Sequence, residues 1–525
     1  MFISEDWLVN YAGYKKAIAP TTSAQGRGLF HSTRSNVMVA VVGTGVFVID
    51  SNGNVTPVTG PDQLTSQSGE IVMDENLNSQ VCIVDGENAY ILNLTMPYTL
   101  TRQTGGPLAG SPPNLIPNYV AFHDTFFLIG NALKNVNGAQ WYAYAYATPT
   151  TITFRTQLAL QTKPDYAVAI KPIPSQANSV LVFGTTVCEI QVNVGGTQNY
   201  RRQSTVNVDY GCLSISTIAS SDKYIVWLGA NQNNAPVIMV YLGQNAEAIS
   251  TDGIDFVLGR IQYPAESTAF FCKIDGHLVY QLTFFNPADN LTLMYDFETQ
   301  KFFHLSDQNE NHHPALDAVF FNNKTYFMSL HNGNIYEMNT DITVIDENIM
   351  PYGSPGYDYT KFYEIPRTRI TESIRRNDSG RWRGNSFVFT MAQGDDPFVT
   401  DLSIISGIQN PIITEDGFNP PNTPVITENG ITVIAEHNTS PIVPSDIYPY
   451  LQPSELVYRP RVDVSISKDA GKTFGNTVQK GLNPIGKGQN IITFPNMGRA
   501  NDLTIKLRFW GRGSFVIGNG EVQTY

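Results

Sequence analysis

Ser79–Leu94 reads SQVCIVDGENAYILNL, and how this stretch folds decides the architecture of the chain. Apolar residues run from Val81 to Val84, the tetrapeptide Asp85-Gly86-Glu87-Asn88 interrupts them, and a second apolar run begins at Ala89. Short apolar runs bounded by Asp, Gly and Asn are strands, and Asp-Gly favours the primed turns whose twist matches a tight hairpin. The same strand–turn–strand paragraph recurs in NVMVAVVGTGVFVIDSNGNVTPV (36–58), KIDGHLVYQL (273–282) and FNNKTYFMSLHNGNIYEM (321–338). Between residues 30 and 345 the repeat spacing is roughly 35–50 residues, and no long amphipathic helix interrupts it. Successive small antiparallel sheets at this period predict an all-β fold, a β-propeller of six or seven blades, with a β-sandwich as the weaker alternative.

Composition agrees. Of 525 residues only 15% are charged, while 42 Gly, 31 Pro, 26 Tyr and 28 Phe favour strands joined by many turns. The four cysteines, 82, 188, 212 and 272, are widely spaced without a Cys-x-x-Cys, so they read as buried thiols rather than a zinc site or disulfide framework. The N-terminus MFISEDWLVNYAGYKK lacks the basic start and apolar core of a secretory signal, and no apolar run reaches bilayer-spanning length. The expectation is a soluble protein made in a cytoplasm. A net charge of −13 argues against a surface built to grip DNA. It is compatible with DNA passing by, because an acidic wall repels phosphates.

Charge is distributed in blocks, and the blocks suggest domains. Residues 1–360 hold 16 basic and 30 acidic residues, 361–383 seven and three, and 459–525 ten and four. Residues 384–458 hold nine acidic residues, nine prolines and no Lys or Arg. The expected organisation is an N-terminal lead (1–29), the propeller (30–345), a linker and Arg-rich platform start (346–383), an acidic Pro-rich insertion (384–458) and a C-terminal β platform (459–525). In DLTIKLRFW (502–510), Leu503, Ile505, Leu507 and Phe509 alternate with Thr504, Lys506, Arg508 and Trp510, so one face is buried and one is wet or contacts a partner.

Four motifs invite chemistry. ISKDAGKTF (466–474) contains Gly-Lys-Thr, but a phosphate loop needs a glycine five positions before Gly471, where Ile466 stands. The same residues match a sialidase-type Asp-box through Ser467, Asp469, Gly471, Thr473 and Phe474, which reads as a structural turn. Gly43-x-Gly45 lacks a third glycine and a following helix, so it reads as a hairpin, and His312-His313 reads as a loop pair rather than a metal site. A retaining sialidase would need a Tyr nucleophile and an Arg cluster that one imperfect box does not assemble. The arginines 367, 369, 375, 376, 381 and 383 read either as a solvated face or as an interface meeting a neighbour's carboxylates.

The order of pieces resembles the tail nozzle family of short-tailed phages, also called packaged-DNA stabilisation proteins. The likeness lies in GSPPNLIPNYVAFHDTFFLIGN, NSVLVFGTTVCEIQVNVGG and DKYIVWLGANQNNAPVIMVYLGQNAEAIST, and most clearly in RPRVDVSISKDAGKTFGNT followed by NIITFPNMGRANDLTIKLRFWGRGSFVIGNGEV with its Gly498-Arg499 element. It is diffuse, spans most of residues 30–525 and brings no catalytic motif. The acidic insertion and short lead depart from the family pattern. The resemblance implies a non-enzymatic virion tail protein, assembled in the host cytoplasm, whose C-terminal part is a β-sandwich-like platform. It implies a ring, a hexamer in the family, forming the distal tail tube that retains DNA and conducts it during ejection. Implied partners are further copies, the portal-adaptor protein, a tail fibre or tailspike, a needle or plug, and genomic DNA passing without sequence-specific binding. It implies no cofactor and no metal, and adds Arg499 to the arginines of the subunit interface. A carbohydrate-binding or sialidase-like propeller is the rival reading.

Overall fold

The computed structural model describes residues 2–346 apart from a few loop positions, 362–393 apart from 366 and 376–379, 425–426, 432–433, 461–482, 490–511 and 515–524. The chain forms two compact units, Ala17–Glu337 and, separately, Met1–Lys16 with Met338–Tyr525.

In Ala17–Glu337, among the described residues, six small antiparallel sheets follow one another, and the antiparallel strands Ala315–Phe321 and Lys324–Ser329 begin a seventh, six-stranded one, which gives the upper of the two expected blade counts. Their first strands are Gly26–Ser32, Val72–Glu75, Pro117–His123, Ala169–Pro172, Gly211–Cys212 with Ala219–Ser220, Ser267–Ile274 and Ala315–Phe321. Most of these lie side by side in sequence, and the last neighbours the first, so they form an inner ring.

The second blade shows why the sequence does this. Gln80–Val84 pairs with Ala89–Asn93 in a register that sets Cys82 opposite Ile91. In the turn, Asp85 Oδ1 accepts from the amides of Glu87 (3.0 Å) and Asn88 (2.6 Å), and Gly86 takes φ +82°. The strand is buried at every position, and apolar from Val81 on, because a blade packs on both faces. Val81 and Ile83 join Val39 and Val41 of the first blade, whereas Cys82 and Val84 join Val120 and Ile129 of the third. The ring is sealed by Leu29, Met38 and Ala40 of the first blade against Phe321, Met328 and Ile335 of the seventh.

The other unit is a two-sheet sandwich. One sheet contains Trp382–Gln393, Asn490–Ala500 and Phe515–Thr524, and the other Arg367–Ile370, Asp502–Trp510, Arg461–Ser467 and Val478–Gly481, with Ile374–Arg375 at its edge. Phe387, Phe389, Met391, Phe494 and Phe515 form one core with Val462, Val464, Ile505, Leu507 and Phe509. Two boundaries differ from expectation. Trp7–Val9 pairs with Phe515–Thr524 (Leu8 opposite Ile517), so the first residues belong to this sandwich instead of forming a separate lead. Trp382–Gln393 is a core strand whose Met391 is fully buried, so residues 384–393 are platform rather than insertion. Beyond Gln393 the acidic block lies outside the described residues except for the paired dipeptides Val425–Ile426 and Thr432–Val433.

Candidate functional site

The Asp-box-like turn follows the strand Arg461–Ser467, and its carboxylate is fully committed. Asp469 Oδ1 accepts from the Ser467 hydroxyl (2.5 Å) and the Thr473 amide (2.9 Å), and Oδ2 from the Thr473 hydroxyl (2.5 Å). These bonds, Ser467 first, hold the Asp469 carboxyl well below the usual carboxylate range. Ala470 (φ +60°) and Gly471 (φ +86°) make the left-handed corner, and the Gly471 amide donates to Ser467 Oγ at 2.9 Å. Phe474 receives the Lys506 ammonium over its ring at 5.8 Å. Every polar atom of the motif that is accounted for serves the turn, which is what a structural device does and a catalytic acid does not.

The arginines do not form one cluster. Arg367 is 1% exposed, donates to the Gly511 carbonyl (2.6 Å) and the Thr343 carbonyl, and lies 4.8 Å over the Phe515 ring. Its side chain is consumed by the sandwich's own interior, so it is removed from the candidate interface residues. Arg369 is half-buried, and Arg375 forms an exposed ion pair with Asp502. Arg376 lies outside the described residues. Arg381, Arg383 and Arg499 are exposed, and Arg383 stands directly opposite Arg499 across two paired strands. Like charges in register repel. The Lys468 side chain also reaches Gly498, so this corner concentrates positive charge. Both histidines of the 312–313 pair lie in the connection before the strand Ala315–Phe321, as the loop reading expects, but they are not alike. His313 is buried against Phe327 and burial pushes its pKa down to about 3, whereas His312 faces His331.

The propeller holds a second polar constellation that no motif announced. Glu70, just before the second blade's first strand, approaches Ser216 of the fifth blade and senses Asp317 of the seventh. Lys171 of the fourth blade approaches Tyr119 of the third, and also interacts with Asp74 and Asp317. Groups from blades two and five meet only across the axis of the ring. Glu70, Asp74, Lys171 and Asp317 retain partial solvent exposure, yet they are packed deeply enough that lost hydration dominates the three acids. Burial raises Glu70 to about 8 and Asp317 to about 7, and raises Asp74 against the pull of Lys171. Lys171 itself is raised, chiefly by Tyr119, despite its burial. The residues come singly from distant strands, so no spacing in the sequence could have signalled them.

The sequence matches a family model described as bacteriophage P22 Gp10, beta-propeller, over residues 1–343. No curated protein matches the chain. Among solved structures, the chain is similar to the extracellular domain of the putative one component system BT4673 from B. thetaiotaomicron, at 10% identity and a TM-score of 0.40, covering 72% of this chain and 46% of that one. The chain therefore spans less than half of that protein's length. It is also similar to the N-terminal domain of Nup159, at 13% identity and a TM-score of 0.37, covering 65% of this chain and 97% of that one.

Proposed function

The chain belongs to the bacteriophage stabilisation family of β-propellers and is a phage structural protein, and from that premise we propose that it builds the distal tail tube of a virion. Several copies, six by analogy with the resemblance above, surround a lumen that retains packaged DNA and conducts it at ejection. The observation supporting this reading beyond the family is the crowded axis of the propeller. A duplex, whose major groove alone is about 12 Å wide, is too broad for an axis on which Glu70, Asp74, Lys171 and Asp317 from different blades come close enough to shift one another's protonation. A DNA path therefore has to run between copies rather than through one.

The acidic excess of residues 1–360 suits the lumen wall, since like charge keeps DNA from adhering. The portal-adaptor, a fibre or tailspike, and a plug are the proposed partners, and the protein acts without turnover. The test is a reconstruction of the virion with antibody or tag labelling of this chain. Density for a ring of copies around the DNA path at the distal tail is the expected result, and placement of the chain off that path overturns the proposal.

A further inference from the structure

The sheet containing Asp502–Trp510 turns its outer face away from the sandwich core, and that face is an ordered cationic–aromatic surface. Trp510 stands opposite Arg461 in register, and two guanidinium groups flank its ring, Arg508 at 4.3 Å and Arg461 at 5.0 Å from the centroid. The indole N–H donates to Asp463 Oδ2 at 2.7 Å, which fixes the ring. Next along the strand, Lys506 lies over Phe474, and Ile370, 48% exposed, sits opposite Lys506 in register. Among the described residues, the strands of this face carry Arg375, Arg461, Lys506 and Arg508 against two carboxylates, Asp463 and Asp502. Stacked arginines lose little further rotamer freedom on docking, and Arg and Trp dominate the energetic centres of interfaces.

The propeller unit carries the complement. In the connections between second and third strands and from one blade to the next, acidic residues outnumber basic ones twelve to three, or nine to three once the buried Asp85 and Asp165 and the deeply packed Glu70 are set aside. In the remaining turns of the blades, on the opposite face, the ratio is five to two. On the acidic side, the connection from the fifth to the sixth blade, residues 249–266, exposes Tyr263 (47%) and Phe256 (61%), the latter with the Arg260 guanidinium 4.1 Å from its centroid, beside Asp252, Asp255 and Glu266. Exposed rings among three carboxylates and one guanidinium match an aromatic–aliphatic surface inside a basic one.

We propose that the Trp510 face of one copy docks on the 249–266 connection of the next copy. Because the two surfaces differ, the contact is heterologous, and repetition of it closes a ring or extends a filament. This inference rests on the proposed ring of copies and names the surfaces that make it. A nucleic acid is the weaker occupant for this face, since two of its four cations share it with carboxylates and the chain as a whole carries −13.

Sedimentation velocity on the full chain tests it. The wild type should associate in a concentration-dependent way, with an apparent Kd rising about 10-fold between low and high salt. Arg461→Ala/Arg508→Ala and Asp252→Ala/Phe256→Ala, each checked for native circular dichroism, should each weaken association at least ~10-fold. Mixed in equal amounts, the two variants should form dimers that extend no further, because each retains one intact surface. A wild type that stays monomeric at low salt up to ~100 µM sinks the proposal. So does a double variant that assembles like wild type, or loss of duplex-DNA binding without loss of self-association in the Arg461→Ala/Arg508→Ala protein. A virion ring built through other surfaces would refute this contact while leaving the tail-tube reading in place.

Discussion

Asp469 and Glu70 are both single carboxylates, and their surroundings push them in opposite directions. Asp469 is ionised and tied into its turn by Ser467 and Thr473. A depressed folded pKa gives stabilisation that is present above the unfolded value and is lost only as pH falls through the lower folded one. Asp469→Ala should therefore accelerate amide exchange at Thr473 at neutral pH and leave the propeller amides unchanged, as read by hydrogen-exchange mass spectrometry. Glu70 behaves inversely, because its folded pKa of about 8 lies above the unfolded value. The native state then holds the proton through the interval between them, and stability falls as pH rises from about 4.5 to 8. Glu70→Gln should flatten that slope and raise the stability of the propeller at pH 8 by on the order of 1 kcal/mol, after discounting for the solvent that still reaches the side chain. Thermal melts across pH 5–9 measure it, and a variant with the wild-type slope would falsify the assignment.

At the scale of elements, the strand Arg367–Ile370 separates a residue that builds the sandwich from residues that only decorate it. Arg367 puts its guanidinium on the Gly511 and Thr343 carbonyls and its plane on Phe515, all within the sandwich unit. Arg367→Ala should cost that unit about 3 kcal/mol, because buried carbonyls lose a charged donor and the stacked ring loses contact. Arg383→Ala, on an exposed side chain facing Arg499, should stay within about 0.5 kcal/mol of wild type or gain slightly. Urea unfolding of both variants decides whether the arginine-rich segment is one site or two kinds of residue. The sequence could not separate them, since both lie in alternating strands and only tertiary pairing reveals which face is covered. The blades were legible because Asp85-Gly86, Asp275-Gly276 and Asn322-Asn323 are local turns that carry their own geometry. The pairing of Leu8 with Ile517 was not legible, since nothing local in a three-residue strand records a partner more than five hundred positions away. Nor was the approach of Glu70 to Ser216, which exists only because the ring closes.

At the scale of the whole molecule, charge and closure together constrain how DNA could be handled. The propeller axis is crowded by Glu70, Asp74, Lys171 and Asp317, the unit's blade-connecting side is acidic, and the chain is net −13, so affinity for free duplex should be slight at physiological salt. The acidic block beyond Gln393 raises a further question, since its nine carboxylates have no basic residue among them. Its composition, with nine prolines, does not supply a core of its own. Its flanks, however, are strands of the sandwich core, so a clean deletion must leave Met391 and Val462 in place. Replacing 396–456 with a short Gly/Ser linker should therefore preserve both the propeller and the sandwich, giving a Tm within about 2 °C of wild type. Exposed charge pairs are individually worth only about 0–1 kcal/mol, so the segment should act through many weak contacts to the adaptor or fibre rather than through folding. Attachment of the variant to tails should then be weakened, and the deficit against wild type should be largest at low salt, where screening is least. Co-sedimentation with assembled tails over a salt series measures this. A deletion protein that attaches with unchanged affinity and salt dependence would remove the block from docking, and one that fails to fold would assign it to the sandwich.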